Sequence, residues 1–224
     1  MNDLLPDWVA VEVAAEEDYS AELLPAEAAG LGARAVEKRR REFAAGRACA
    51  RRALGRLGVR GRAVPTSGNR APVWPEGTTG SITHTGGYCA AAVGLRSDVR
   101  AVGIDAERRT ILPDNVRGSI CLPEELAWCA ERADEQWWPA VHFSAKEVVF
   151  KLWSPIVGTW LGFLDARLTI DVAAGEFEAR IGAQRLAKTP AAPAVFRGRF
   201  HVAPGLIRSA GVVTAKEADG WQAP

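Results

Sequence analysis

The chain has 224 residues, 48% hydrophobic and 25% charged, an ordinary globular balance with length enough for a substantial core. Lys and Arg number 28 against 27 Asp and Glu, a formal charge of +1, so bulk attraction to nucleic acid or an anionic membrane is excluded and any polyanion must be met by local clustering. No apolar run approaches the roughly 18 residues of a membrane span, and the acidic start MNDLLPDWVAVEVAAEEDYS is not built as a secretory signal.

In chain order, Trp8–Val13 alternates enough for a first strand. Residues 34–57, from Arg34 to Leu57, lack proline, are rich in helix formers and end before Gly58, which predicts a long helix. A loop punctuated by Pro65, Gly68, Pro72, Pro75 and Gly77 follows, from Gly61 to Gly80. Strands are expected at Ser81–Thr85 and Tyr88–Leu95, split by Gly86-Gly87, and at Val99–Glu107. Beyond Pro113, Leu122-Pro123-Glu124-Glu125 marks a helix start, and a second helix is expected from Trp138 to Trp153. Four antiparallel strands should close the chain: Arg167–Val172, Glu176–Ile181, Val195–Val202 and Leu206–Thr214. The fold class is α+β, with two similar lobes divided as 1–112 and 113–224. Cys49, Cys89, Cys121 and Cys129 show no CxxC and no metal spacing, so they read as thiols in a reducing cytoplasm, and three scattered histidines do not make a zinc enzyme.

Four clusters carry chemistry. In Val102-Gly103-Ile104-Asp105-Ala106-Glu107 the strand period puts Asp105 and Glu107 on one face, about 7 Å apart, either as a solvated strand end or around a cation. Oxygen ligands at that spacing favour magnesium over zinc. In Phe143-Ser144-Ala145-Lys146-Glu147-Val148-Val149-Phe150-Lys151, Glu147 and Lys151 share a helix face, as an exposed ion pair or, given Phe143, Phe150 and Trp153 around them, as part of a drier site. His84 stands at a strand end before two glycines that permit close backbone approach, although a lone histidine is more often structural. Finally Lys38-Arg39-Arg40-Arg41 with Arg47, Arg51 and Arg52 makes a basic helix, either a solvated face or a fork for phosphate.

Taken in order, the basic helix, GNRAPVWPEGTTGSITH, VGIDAE and FSAKEVVFK, with LGFLDA after them, resemble the 4'-phosphopantetheinyl transferase superfamily from about Lys38 to Asp165. The likeness is to its larger, surfactin/enterobactin-type members, and among these to actinobacterial enzymes that activate carrier proteins. The resemblance implies two similar lobes with coenzyme A in the cleft between them, and a magnesium-dependent transfer of 4'-phosphopantetheine to a carrier-protein serine. It assigns Asp105, Glu107 and Glu147 to magnesium, Glu147 and Lys151 to catalysis, and Arg39, Arg47, Arg70, His84 and Lys151 to coenzyme A, with Arg39, Arg47 and His84 on its 3'-phosphate. Thr66, Ser67 and Asn69 stand where near relatives tend to carry lysine, a departure that touches the phosphate grip and not the chemistry.

The expected partner is an acyl or peptidyl carrier protein, with neither nucleic acid nor membrane, and the expected state is a cytoplasmic monomer. Two rivals are a non-catalytic coenzyme A-binding module and a nucleic-acid binder using the Arg-rich helix. The intact acidic trio argues against the first, and the charge of +1 without interleaved aromatics against the second.

Overall fold

The computed structural model describes residues 1–32, 35–132 and 134–219; the expected helix start at Arg34 lies outside them. In order, the elements are β1 (Ala10–Val13), α1 (Pro25–Ala28), α2 (Glu37–Arg56), β2 (Thr78–Thr85), β3 (Tyr88–Leu95), β4 (Val99–Arg108), α3 (Asp114–Ile120), α4 (Pro123–Ala130), α5 (Trp138–Val157), β5 (Ala166–Asp171), β6 (Glu176–Ile181), α6 (Ala183–Leu186), β7 (Val195–Ala203), β8 (Leu206–Thr214) and α7 (Ala215–Asp219). The mixed α+β class stands. Strand β2 begins three residues earlier than Ser81, inside the expected loop, and β1 starts at Ala10, leaving Trp8 exposed.

Three strands form one sheet in the order β1-β3-β2, and five form another in the order β4-β8-β7-β6-β5, with antiparallel pairing throughout. Helix α2 covers the smaller sheet. Its Cys49, Ala50, Ala53 and Leu54 pack against Ala10, Ala91 and Val93, small side chains that let helix and sheet approach closely. It ends where Gly58 takes φ +81° and Val59 N–H reaches back to the Leu54 carbonyl at 2.9 Å, a glycine-capped terminus. Helix α5 covers the larger sheet, burying Val148, Leu152 and Trp153 against Leu168, Phe196 and Ile207. It runs through Pro155 and stops at left-handed Gly158.

The sheets meet where β2 lies beside the free edge of β4. Ile104 N–H donates to Ser81 Oγ at 3.2 Å, and Ala106 N–H to Thr83 Oγ1 at 3.0 Å. Two hydroxyls at strand spacing thus satisfy backbone donors that would otherwise be buried unpaired. Strand β4, which the 1–112 division puts in the first lobe, also pairs along its length with β8.

One glycine pair sets the depth at which α5 rides. Gly103 and Gly211 face each other in the β4–β8 register, and a Cβ at Gly103 would lie 2.7 Å from the Val148 carbonyl oxygen. The helix backbone therefore sits almost on the sheet next to Glu147.

Candidate active site

On α5 the half-buried residues Phe143, Glu147, Phe150 and Lys151 form one stripe at helical spacing, while their neighbours are buried in the core. The aromatics flank the charges: Phe143 meets Phe163 edge-on at 5.5 Å, and Phe150 meets Trp160 at 5.0 Å. Trp153, expected in that surround, points into the core instead.

Lys151 bonds across to β4 rather than along its own helix. Its ammonium donates to Asp105 Oδ1 at 2.8 Å and to the Ile104 carbonyl at 2.9 Å. The pairing with Glu147 that the spacing allowed is not the one formed. Asp105 is 4% exposed, and its Oδ1 also accepts from the Thr83 hydroxyl at a long 3.5 Å. Its other oxygen, Oδ2, is buried with no hydrogen-bond partner. Burial, reinforced by Asp105 and Glu147 and opposed by Lys151, pushes the Glu107 carboxyl up to about 7. Glu147 is raised for the same first reason, with Asp105 adding and Lys151 opposing. The four side chains form one electrostatic unit, with acid in excess of base.

That excess and the orphaned Asp105 oxygen fit a cation, and an all-oxygen donor set fits a hard one. Among the described residues no three His, Cys, Asp or Glu side chains are already grouped as a metal cage.

A cavity of about 350 Å³ is lined by Arg39, Phe43, Arg47, Thr66, Arg70 and His84, among others, so the residues expected to hold coenzyme A, apart from Lys151, share one space. Asp105 and Lys151 both act electrostatically on His84, so the cavity and the acidic unit are neighbours. Arg47 is 6% exposed; its Nε donates to the Val64 carbonyl at 2.7 Å and its Nη2 to Thr66 Oγ1 at 2.9 Å, and its guanidinium lies 4.1 Å over the Phe43 ring. Burial lowers it to about 10, which leaves it cationic near neutrality. Arg70 adopts φ +67°, a left-handed conformation that costs a non-glycine residue ~1–3 kcal/mol. The Ser67–Ala71 turn holds it there through Ser67 N–H to the Ala71 carbonyl and Arg70 N–H to the Ser67 carbonyl, both 2.9 Å.

The basic run of α2 divides in two. Arg39 and Arg47 face the cavity, whereas Arg51 pairs with Glu27, Arg52 with Glu12 and Asp18, and Arg56 with Glu12. Most of its charge is thus internally matched.

Comparison with known proteins decides what this arrangement belongs to. Residues 26–94 match the model of the 4'-phosphopantetheinyl transferase N-terminal domain, and residues 101–200 that of the 4'-phosphopantetheinyl transferase superfamily. The chain is 42% identical to 4'-phosphopantetheinyl transferase Svp of Streptomyces mobaraensis over 95% of its length and 88% of that protein's. It is 40% identical to 4'-phosphopantetheinyl transferase PptT of Mycobacterium tuberculosis, over 92% and 95%. The chain belongs to the 4'-phosphopantetheinyl transferase superfamily. A more distant likeness, 35% identity over 60% of this chain and 56% of the relative, is to enterobactin synthase component D of Salmonella typhi. The resemblance drawn from the motifs is borne out, and with it an enzyme of phosphopantetheinyl transfer that modifies carrier proteins.

Several residues inside the motifs of this phosphopantetheinyl transferase shape the site by packing and alignment, roles that their spacing alone does not reveal. Ser81 and Thr83 align β4, and their alternation in SITHT was the available clue. Gly103 seats α5. The space over Gly86 is filled by the Arg108 guanidinium, whose Nε would lie 2.4 Å from a Cβ there, so this glycine admits a side chain of the protein itself.

Proposed function

We propose that this enzyme moves 4'-phosphopantetheine from coenzyme A to a serine hydroxyl of an acyl or peptidyl carrier protein, with magnesium held by Asp105, Glu107 and Glu147. The observation carrying the metal is the buried, unpartnered Asp105 Oδ2 beside two carboxyls raised by burial and by the Asp105 charge. When bound, the cation would neutralise charge developing on the pyrophosphate.

The residues supply the rest. Glu147, raised by burial, accepts the proton of the serine hydroxyl. The serine oxygen forms a bond to the phosphorus carrying pantetheine as the bond from that phosphorus to the bridging oxygen breaks. Adenosine 3',5'-bisphosphate leaves. Lys151 spends two of its three N–H donors on β4, leaving one for a phosphate oxygen. The cavity of Arg39, Arg47, Arg70 and His84 takes the 3'-phosphate and nucleotide end.

The lobes are taken as 1–112 and 113–224, in a pseudo-twofold arrangement with coenzyme A between them, supported by the contiguity of cavity and acidic unit at the junction of the two sheets. No helix among the described residues is long and apolar enough to cross a membrane; a cytoplasmic monomer is part of the proposal. Mass spectrometry of apo-carriers incubated with coenzyme A, with and without magnesium, tests the reading. One phosphopantetheinyl group should appear on serine only with both present; an unmodified panel, or modification unaffected by chelator, would overturn it.

A further inference from the structure

An anion site should repel carboxylates, yet Glu42 lines this cavity, the acidic side chain among its described lining residues. It lies one turn after Arg39 on α2, with its side chain only 14% exposed, and its Oε2 stands 3.6 Å from His84 Nδ1. On the other side of the ring, Arg39 Nη1 is 3.0 Å from His84 Nε2. A guanidinium can only donate, so Nε2 accepts and the proton of the neutral ring is on Nδ1, facing the carboxylate. In that tautomer Nε2 has nothing to offer an anion. Moving the proton to Nε2 would turn the Nδ1 lone pair against Glu42. The ring therefore donates to an anion only when both nitrogens carry protons.

We propose that Glu42 is a positioning residue for His84: it fixes the ring with Nε2 towards the cavity and supports the imidazolium that donates to the 3'-phosphate of coenzyme A. This rests on the 3'-phosphate reading above and deepens it. Binding then takes up a proton. In the free protein burial lowers His84, Arg39 and Lys151 lower it further, and Glu42 and Asp105 oppose. Cys89 faces it from β3, and Arg47 and Arg70 share the cavity.

The sign of one substitution separates this from simple electrostatics. Removing a negative charge from an anion site should tighten binding; Glu42→Gln should instead weaken coenzyme A about tenfold at pH 8, because the imidazolium loses the carboxylate that faces it at 3.6 Å. The loss should shrink at pH 6, and dephospho-coenzyme A should bind as before. In a His84→Ala background the same substitution should cause no weakening. Calorimetric titration of both cofactors against wild type and the three variants reads this. Nitrogen-15 NMR of wild-type His84 adds a measurement free of Glu42 variants, with the signal assigned by His84→Ala: the Nδ1–H tautomer in the free protein, and an imidazolium with adenosine 3',5'-bisphosphate bound.

Coenzyme A binding that Glu42→Gln leaves equal or tightens, or a ring that stays neutral in the complex, overturns the proposal while leaving the 3'-phosphate site standing. A wild type that binds dephospho-coenzyme A as tightly as coenzyme A removes that site, and the proposal with it.

Discussion

Lys151 reaches from α5 to Asp105 on β4 at 2.8 Å, although Glu147 stands one turn back on its own helix. The lysine thereby occupies one oxygen of Asp105 and leaves the other, buried and unpartnered, as the one the proposed magnesium would meet. Asp105→Asn keeps the shape and removes the charge. It should abolish most carrier modification and weaken magnesium binding, while a thermal melt still shows a folded protein. Near-normal turnover at millimolar magnesium would count against the site.

Glu107 gives the metal-free protein a pH signature. Because its folded carboxyl is raised from 4.5 to about 7, the folded state keeps a proton that the unfolded chain has already lost in that window. Its contribution to stability should therefore fall as pH rises from about 4.5 through about 7, the reverse of a salt-bridged carboxylate. Buried His84 and His142, both lowered, act in the opposite direction below their ordinary value, so the comparison with Glu107→Gln isolates the carboxyl. With chelator present, the wild-type urea midpoint should lose ground to that of Glu107→Gln as pH rises across this range; parallel curves would contradict the burial of this group.

Gly103→Ala tests whether the seating of α5 matters to chemistry. The new methyl would meet the Val148 carbonyl and force helix and sheet apart beside Glu147. Overpacking of this kind costs ~1–3 kcal/mol, and a displacement near 1 Å can cost ~100-fold in rate. The expected result is a drop in kcat with the KM for coenzyme A little changed. Wild-type kcat in the alanine variant would mean that the site tolerates a shifted helix.

Most of the architecture was legible because periodicity and turn residues are local. The strand of VGIDAE, the stripe Phe143-Glu147-Phe150-Lys151 and the final antiparallel strands all follow from side-chain spacing. Partner choice was not. Spacing on a helix allowed a Glu147–Lys151 pair, whereas the close approach permitted by Gly103 and Gly211 delivers Lys151 to Asp105. Likewise the basic run looked uniform, because the acids that absorb Arg51, Arg52 and Arg56 lie at Glu12, Asp18 and Glu27, distant in sequence.

On the proposed reading Arg39 and Arg47 both bind coenzyme A, and they should be separable by what else each does. Arg39 is exposed and bonds His84, whereas Arg47 is buried and ties α2 to Val64 and Thr66. Either alanine variant should lose roughly tenfold to a hundredfold in coenzyme A affinity, with less effect on dephospho-coenzyme A. Arg47→Ala should also lose about 2 kcal/mol of stability from its two hydrogen bonds, or roughly 4–8 °C in Tm. Arg39→Ala should melt like wild type. Equal discrimination between the two cofactors in wild type and Arg47→Ala would refute the phosphate role.

On the proposed reading, with Asp105 and Glu107 at the reacting centre, the carrier approaches where β4 ends. The segment Ile111–Leu122 leaves it directly and contains α3. Its apolar residues divide: Ile120 is buried and Leu112 packs on the core, while Ile111 is 56% exposed. Of the basic residues beside it, Arg108 covers Gly86 and Arg109 lies 5.9 Å over the Trp137 ring, whereas Arg117 pairs within α3 with Asp114. An acidic helical partner can compete for Arg117, half-buried beside an exposed Asp114, because an ion pair at the surface holds with only ~0–1 kcal/mol. Arg117→Glu should therefore raise the KM for carrier protein and leave that for coenzyme A unchanged. Added salt should weaken carrier binding to the wild type more than to the variant. Unchanged carrier kinetics in Arg117→Glu at low salt would move the docking face away from α3.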